Sequence, residues 1–160
     1  MRRTRSNGFS LIESVVIIIV LAMAVPPSLQ LLDSAAASRA DSINTTRATL
    51  LGMSVMEHIL ADVYSSDPAL GFDALADSEA YLNTAGTGLV DRLASVADVY
   101  AALGISFSVE IGPLAQADGT TSGDPDLDVY REITVVISYP SATEGVLDMP
   151  ISAIVSEISP

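Results

Sequence analysis

Asp118, Asp124, Asp126 and Asp128 fall in one glycine-bearing stretch, ADGTTSGDPDLD. Hard oxygen donors at alternate positions are the ligand type that calcium takes. The stretch departs from the helix–loop–helix calcium loop, lacking a glycine at the sixth position and a glutamate at the twelfth. The same carboxylates would be equally at home as solvated loop acids, so calcium stands as the one cofactor the residues suggest, beside the alternative of none. His58 offers a second constellation, flanked by Glu57 and followed one helical turn later by Asp62. A carboxylate–imidazole–carboxylate row could hold a metal or act as a base; a surface His–acid contact uses the same residues.

The chain has one histidine and no cysteine. That removes disulfides, thiolate metal sites, a thiol nucleophile and any site built on two imidazoles. An enzyme would need a nucleophile with a base, Ser54 is too ordinary to nominate, and nothing resembles a phosphate-binding glycine loop. No catalytic residue can be nominated, and the sequence is read as that of a non-enzyme.

One more carboxylate is out of place. Glu13 lies just inside the apolar run FSLIESVVIIIVLAMAVPPSLQLL, Phe9 to Leu32, and from Val15 to Val25 that run has no polar residue. Its length is about the 20 residues a helix needs to cross a hydrocarbon core. Arg2, Arg3 and Arg5 precede it, which by the positive-inside rule orients the N-terminus to the cytoplasm and exports the chain beyond Leu32. A cleaved secretory signal has the same basic start and apolar middle, with AMA at Ala22–Ala24 or AAA at Ala35–Ala37 as its small-residue site.

The formal net charge is −13, with Lys+Arg 7 against Asp+Glu 20 and every one of the seven cations an arginine. So acidic a chain disfavours nucleic acid and anionic headgroups as partners of the region beyond the apolar run, and suits cations or a basic protein surface. At 160 residues there is room for one anchor and one small globular head.

The elements that would carry these residues follow from hydrophobic period. Ala48, Gly52, Val55, Met56, Ile59, Leu60 and Val63 recur at three and four, one face of a helix that ends before SSDP. Pro26-Pro27 predicts a bend or a short unwound stretch between this helix and the apolar one, because proline removes an amide donor and clashes with the preceding turn. Leu89, Leu93, Val96, Ala97 and Tyr100 form a second helical stripe between Gly88 and Gly104. Then the period becomes two: Ile105, Phe107, Val109 and Ile111 alternate with polar residues. A polar loop from Gly112 to Asp128 comes next, then Val129, Ile133, Val135, Ile137 and Tyr139 on one face, a turn PSATEG, and Leu147, Met149, Ile151, Ala153 and Val155 in alternation. The pair predicts an antiparallel hairpin with Pro150 on an edge strand. The fold class expected is α+β, a long N-terminal helix packed on a small antiparallel sheet.

Gly8-Phe9-Ser10-Leu11-Ile12-Glu13, after a short basic leader and before an apolar run, resembles the cleavage and methylation signal of type IV pilin-like proteins. The resemblance implies a leader at 1–8, a transmembrane and assembly helix at 9–32 and an exported pilin-like head at 33–160. It implies cutting between Gly8 and Phe9 by a prepilin peptidase and methylation of the new amino group of Phe9. Glu13 would then attract the terminal amine of a neighbouring subunit during assembly. The implied partners are that peptidase, other pilin or pseudopilin subunits, an inner-membrane assembly platform and membrane lipid, in a bacterial inner membrane. Two features differ from many major pilins: Gln30 stands where those carry a proline, and the head has no cysteine pair. LLGMSVMEHILADV and the closing hairpin are similar to minor pseudopilins of type II secretion systems and to minor pilins. The competing class is a membrane-anchored binding module with an acidic head.

Overall fold

The computed structural model describes residues 10–65, 67 and 69–156. Residues up to Ala40 form one compact unit and those from Asp41 onward another. Helix α1, Leu11–Val63, contributes to both.

In the first unit α1 begins at Leu11, where the Ser10 hydroxyl accepts the Glu13 amide at 3.3 Å and its carbonyl accepts the Ser14 amide at 3.1 Å. Ser10 thus serves as the N-cap and satisfies one of the donors that a helix start leaves free. The unwound stretch expected at Pro26-Pro27 is corrected: both prolines lie inside α1, which stays helical across them. Proline's fixed φ is itself helical, so the cost falls on the missing donors and on ring crowding, which apolar helices tolerate when nearby groups compensate. The Ser28 hydroxyl donates to the Ala24 carbonyl at 2.8 Å within that turn.

In the second unit the inward face of α1 is Ala48, Leu51, Gly52, Val55, Met56, Ile59, Asp62 and Val63. The expected stripe is largely this face; Leu60 is only partly buried, while Leu51 and Asp62 belong to it as well. After α1 come a short 3₁₀ turn, Phe72–Ala76, then α2, Ser78–Asn83, and α3, Leu89–Ala101. Asp77 caps α2 by accepting the Ala80 amide at 3.0 Å. From α3 the core takes Leu89 and Leu93, whereas Val96 is exposed.

Three strands complete the unit: β1, Ser106–Ala115, β2, Tyr130–Ser141, and β3, Gly145–Ser156, antiparallel in the order β1-β2-β3. The register pairs Val109 with Val135 and Val135 with Ile151, so apolar positions of all three strands share a face. Pro150 lies on edge strand β3, where its missing donor costs least. Two boundaries differ from expectation. β1 continues past Ile111 through a bulge at Gly112-Pro113, so the polar loop is shorter than its composition suggests. Val129 lies outside β2 and is exposed, and the first inward position of that strand is Arg131.

Helix and sheet meet closely at Gly52. A Cβ there would lie 2.5 Å from Ile151 Cδ1 and 3.0 Å from Ile137 Cγ1. The β2–β3 turn is tied to the helix as well: Asn44 Nδ2 donates to the Pro140 carbonyl at 2.9 Å, and the Asp41 carboxylate accepts the Ala142 amide at 2.6 Å. Gly145 closes the turn at φ +87°, a conformation glycine adopts without strain.

Candidate functional sites

Gly8 and Phe9 lie outside the described residues. Glu13 is the third residue of α1 and is exposed, as is the whole apolar segment around it. Its position at a helix start is itself favourable for a carboxylate, because free amides leave that end partially positive. Among the described residues α1 is the one helix long and apolar enough to cross a membrane, and none of its apolar window is buried. No described residue covers Leu11, Ile12, Val16, Ile18, Met23, Leu31 or Leu32.

The aspartates of the polar loop are engaged locally. Asp118 accepts the Thr120 amide at 3.0 Å and the Thr120 hydroxyl at 2.7 Å. Asp124 accepts the Asp126 amide at 3.0 Å. Asp128 is the buried one; it takes the Ser122 amide at 3.0 Å, the Ser122 hydroxyl at 2.9 Å and the Gly123 amide at 2.8 Å. Hydrogen bonds from the Ser122 backbone, then from Gly123 and the Ser122 hydroxyl, hold the Asp128 carboxyl below the usual range. The Thr120 hydroxyl and amide do the same for Asp118. Asp118, Asp124 and Asp128 each close a local turn, the Asp126 carboxylate accepts no hydrogen bond among the described residues, and among those residues no three acidic or imidazole groups converge as a metal site would require.

The His58 row also separates. His58 is exposed, and its Nδ1 donates to the Ser54 carbonyl at 2.8 Å. Asp62 turns the other way, into the core, and there forms the main polar cluster of the head. Arg92 Nη1 reaches Asp62 Oδ1 at 2.9 Å and Nη2 reaches Oδ2 at 2.5 Å, while the Tyr81 hydroxyl donates to Oδ2 at 2.7 Å. The guanidinium also lies over the Tyr81 ring, 5.9 Å from its centroid. Burial, then the bond to Asp62, pushes the Tyr81 phenol well above its usual range, and the same carboxylate raises Arg92. This cluster pins α1, α2 and α3 together. With a carboxylate, a protonated phenol and a guanidinium satisfying one another, it has no free nucleophile or base. Its sequence signal was faint: Asp62 falls at the helical spacing of the buried stripe but is charged, and Arg92 is 30 residues away.

Among the described residues Arg131 is the third buried charged side chain, after Asp62 and Asp128. It donates from Nη1 to the Gly112 carbonyl at 2.7 Å, across the bulge of β1, and lies 5.9 Å from the Phe72 ring centroid. Its Nε is buried without a hydrogen-bond partner, and desolvation lowers its pKa.

A groove of about 390 Å³ runs between the 3₁₀ turn and α2 and is lined by alanines, Leu70, Tyr81, Thr84, Thr87 and two carboxylates, Asp73 and Asp77. A second pocket, about 210 Å³, opens on the outer face of the sheet beside Glu110, Glu132 and Thr134. No family model matches the sequence, and no curated protein or solved structure matches it either.

Proposed function

We propose that this chain is a structural subunit of a type IV pilin-like filament, a minor pseudopilin of a type II secretion system or a minor pilin. It is held in the bacterial inner membrane by α1, with its head on the exported side. Prepilin peptidase cuts between Gly8 and Phe9, and the subunit joins its siblings over an assembly platform through helix packing.

The observation that carries this reading is the uncovered start of α1: an exposed apolar helix whose first turn holds one carboxylate, Glu13. Bilayer lipid would cover the apolar side chains but not the charge. An acid at the centre of a bilayer costs about 2.5–3.5 kcal/mol on insertion scales and less near the edge, where the first turn of α1 places Glu13, and a neighbouring amine offsets that cost. The head adds a second exposed stripe. At about 100° per residue Ile43, Leu50 and Met53 fall on the side of α1 opposite the sheet, and they are 52%, 56% and 53% exposed. Subunit helices packed side by side would cover both stripes.

N-terminal sequencing with mass analysis of the membrane-bound protein tests the reading. A methylated phenylalanine at Phe9 is expected. A start after Ala24 or Ala37, or an intact Met1, overturns it. Replacing Glu13 with leucine should abolish incorporation into filaments while leaving membrane insertion intact, and undiminished incorporation removes the pairing role.

A further inference from the structure

Between Asp41 and Ser156 the chain has three arginines and they have unequal fates. Arg92 is engaged by Asp62, and Arg131 is buried against Gly112. Arg47 is exposed on α1, and among the described residues no carboxylate lies within ion-pairing distance of it. Its helical neighbours at one turn, Ile43 and Leu50, are exposed too, so among the described residues of the second unit Arg47 is the exposed, unpaired arginine and it lies beside apolar side chains; Arg39, in the first unit, is exposed as well.

The groove between the 3₁₀ turn and α2 has the opposite character. Its walls are Ala69, Leu70, Ala74 and Ala80, and its only charged lining residues are Asp73 and Asp77. Asp77 uses Oδ1 to cap α2. Asp73 accepts no hydrogen bond among the described residues, unlike Asp67 and Asp91, whose carboxylates are taken by the Ala69 and Gly86 amides. Alanine walls beside an uncommitted carboxylate suit an arginine, whose methylene stem packs on apolar surface while its guanidinium pairs with the acid.

We propose that the groove is the receptor for Arg47 of a second copy of this chain. The occupant is a second copy because the second unit of the same chain presents both halves, an exposed arginine flanked by exposed Ile43 and Leu50 and an acidic groove with apolar walls. Plug and receptor are different patches, so the contact is heterologous and repeats from copy to copy instead of closing as a two-fold dimer. This rests on the filament reading and names the head contact within it.

The absence of native cysteine permits a direct test on the full chain in membranes. Arg47→Cys combined with Asp73→Cys should give linked dimers, trimers and longer species with a bis-maleimide cross-linker whose span matches an arginine–aspartate pair, which is longer than a disulfide reaches. Either single cysteine variant should give dimers at most. In parallel, Arg47→Glu or Asp73→Arg should each lower incorporation by about fivefold, the scale of a lost exposed ion pair, and the double reversal should restore it. Assembly that depends on Glu13 but shows neither the ladder nor the rescue overturns the docking contact and leaves the filament reading standing. A ladder and rescue in a protein whose incorporation ignores Glu13→Leu overturns the Glu13-based assembly and leaves the contact standing.

Discussion

Arg92 grips Asp62 at two points, Nη1 to Oδ1 at 2.9 Å and Nη2 to Oδ2 at 2.5 Å, so that a guanidinium on α3 neutralises a carboxylate on the core face of α1. Two parallel charge-assisted bonds are shorter and more directional than a single contact. The Tyr81 hydroxyl, 2.7 Å from Oδ2, satisfies a further lone pair and brings α2 into the same junction.

Breaking that pair from either side should be costly, because the survivor is a desolvated charge. Arg92→Leu is expected to lower stability by about 2–4 kcal/mol, at the lower end if the part-exposed guanidinium site admits water. The urea midpoint of the full chain in detergent measures it. Tyr81→Phe should cost less, about 1–2 kcal/mol, since it removes one hydrogen bond from a charged acceptor. The raised phenol pKa adds a pH signature. A group whose folded pKa lies above its unfolded value contributes stability that is present below the unfolded value and is lost as pH rises through the folded one. The cluster should therefore loosen only above about pH 10. Spectrophotometric titration should show a late phenol step that Tyr81→Phe removes.

Gly88 and Gly52 should respond differently to alanine. A Cβ at Gly88 would lie 2.6 Å from the Leu82 carbonyl oxygen and 2.7 Å from the Thr84 amide nitrogen, backbone atoms that cannot step aside without unwinding the end of α2. Gly88→Ala should cost about 2–3 kcal/mol, in the range of core overpacking. At Gly52 the nearest atom is the movable tip of Ile151, and alanine gains about 1 kcal/mol of helix propensity. Gly52→Ala should come out close to neutral, and a melting temperature for each, read side by side, decides the order.

The Asp128 turn should be acid-sensitive. Its folded pKa is depressed, so its contribution is present above the unfolded carboxyl value, about pH 4, and is lost as pH falls below that through the folded value. Amide hydrogen exchange at Ser122 and Gly123 should accelerate over that interval. Asp128→Asn should exchange rapidly at neutral pH and show no such acid step.

Arg131 should be dispensable for folding. Its buried Nε has no partner and the strand position is otherwise apolar. Methionine keeps the stem without the charge, and replacing an uncompensated buried charge by an apolar side chain is often neutral or stabilising. Arg131→Met is expected to change stability by less than about 1 kcal/mol or to raise it. A loss beyond about 2 kcal/mol in a denaturant titration would show the guanidinium to be held by more than the Gly112 carbonyl.

Periodicity made much of the architecture legible. The stripe from Ala48 to Val63 and the alternation from Ile105 to Ile111 and from Leu147 to Val155 repeat at 3.6 and 2, and burial selects for those repeats directly. The apolar run around Glu13 was equally plain, because a bilayer-length segment is set by composition alone. Where one local rule had to be weighed against the rest of an element, sequence was a poorer guide. Pro26-Pro27 argued for an unwound stretch where α1 stays helical, and Gly112-Pro113 argued for a loop where β1 continues through a bulge.

The charged residues divide the same way. By itself the sequence determined that Glu13 sits in an apolar helix, that no thiol or paired-imidazole chemistry exists, and that the head is acidic, since these depend on identity and near neighbours. Only the tertiary structure decided which acids face water and which face a partner. Asp62 left His58 for Arg92, 30 residues on, and Asp128 turned inward onto the Ser122 and Gly123 amides. A charge can be buried wherever folding brings its counter-charge or donors within about 3 Å, and that meeting of distant segments has no period to announce it.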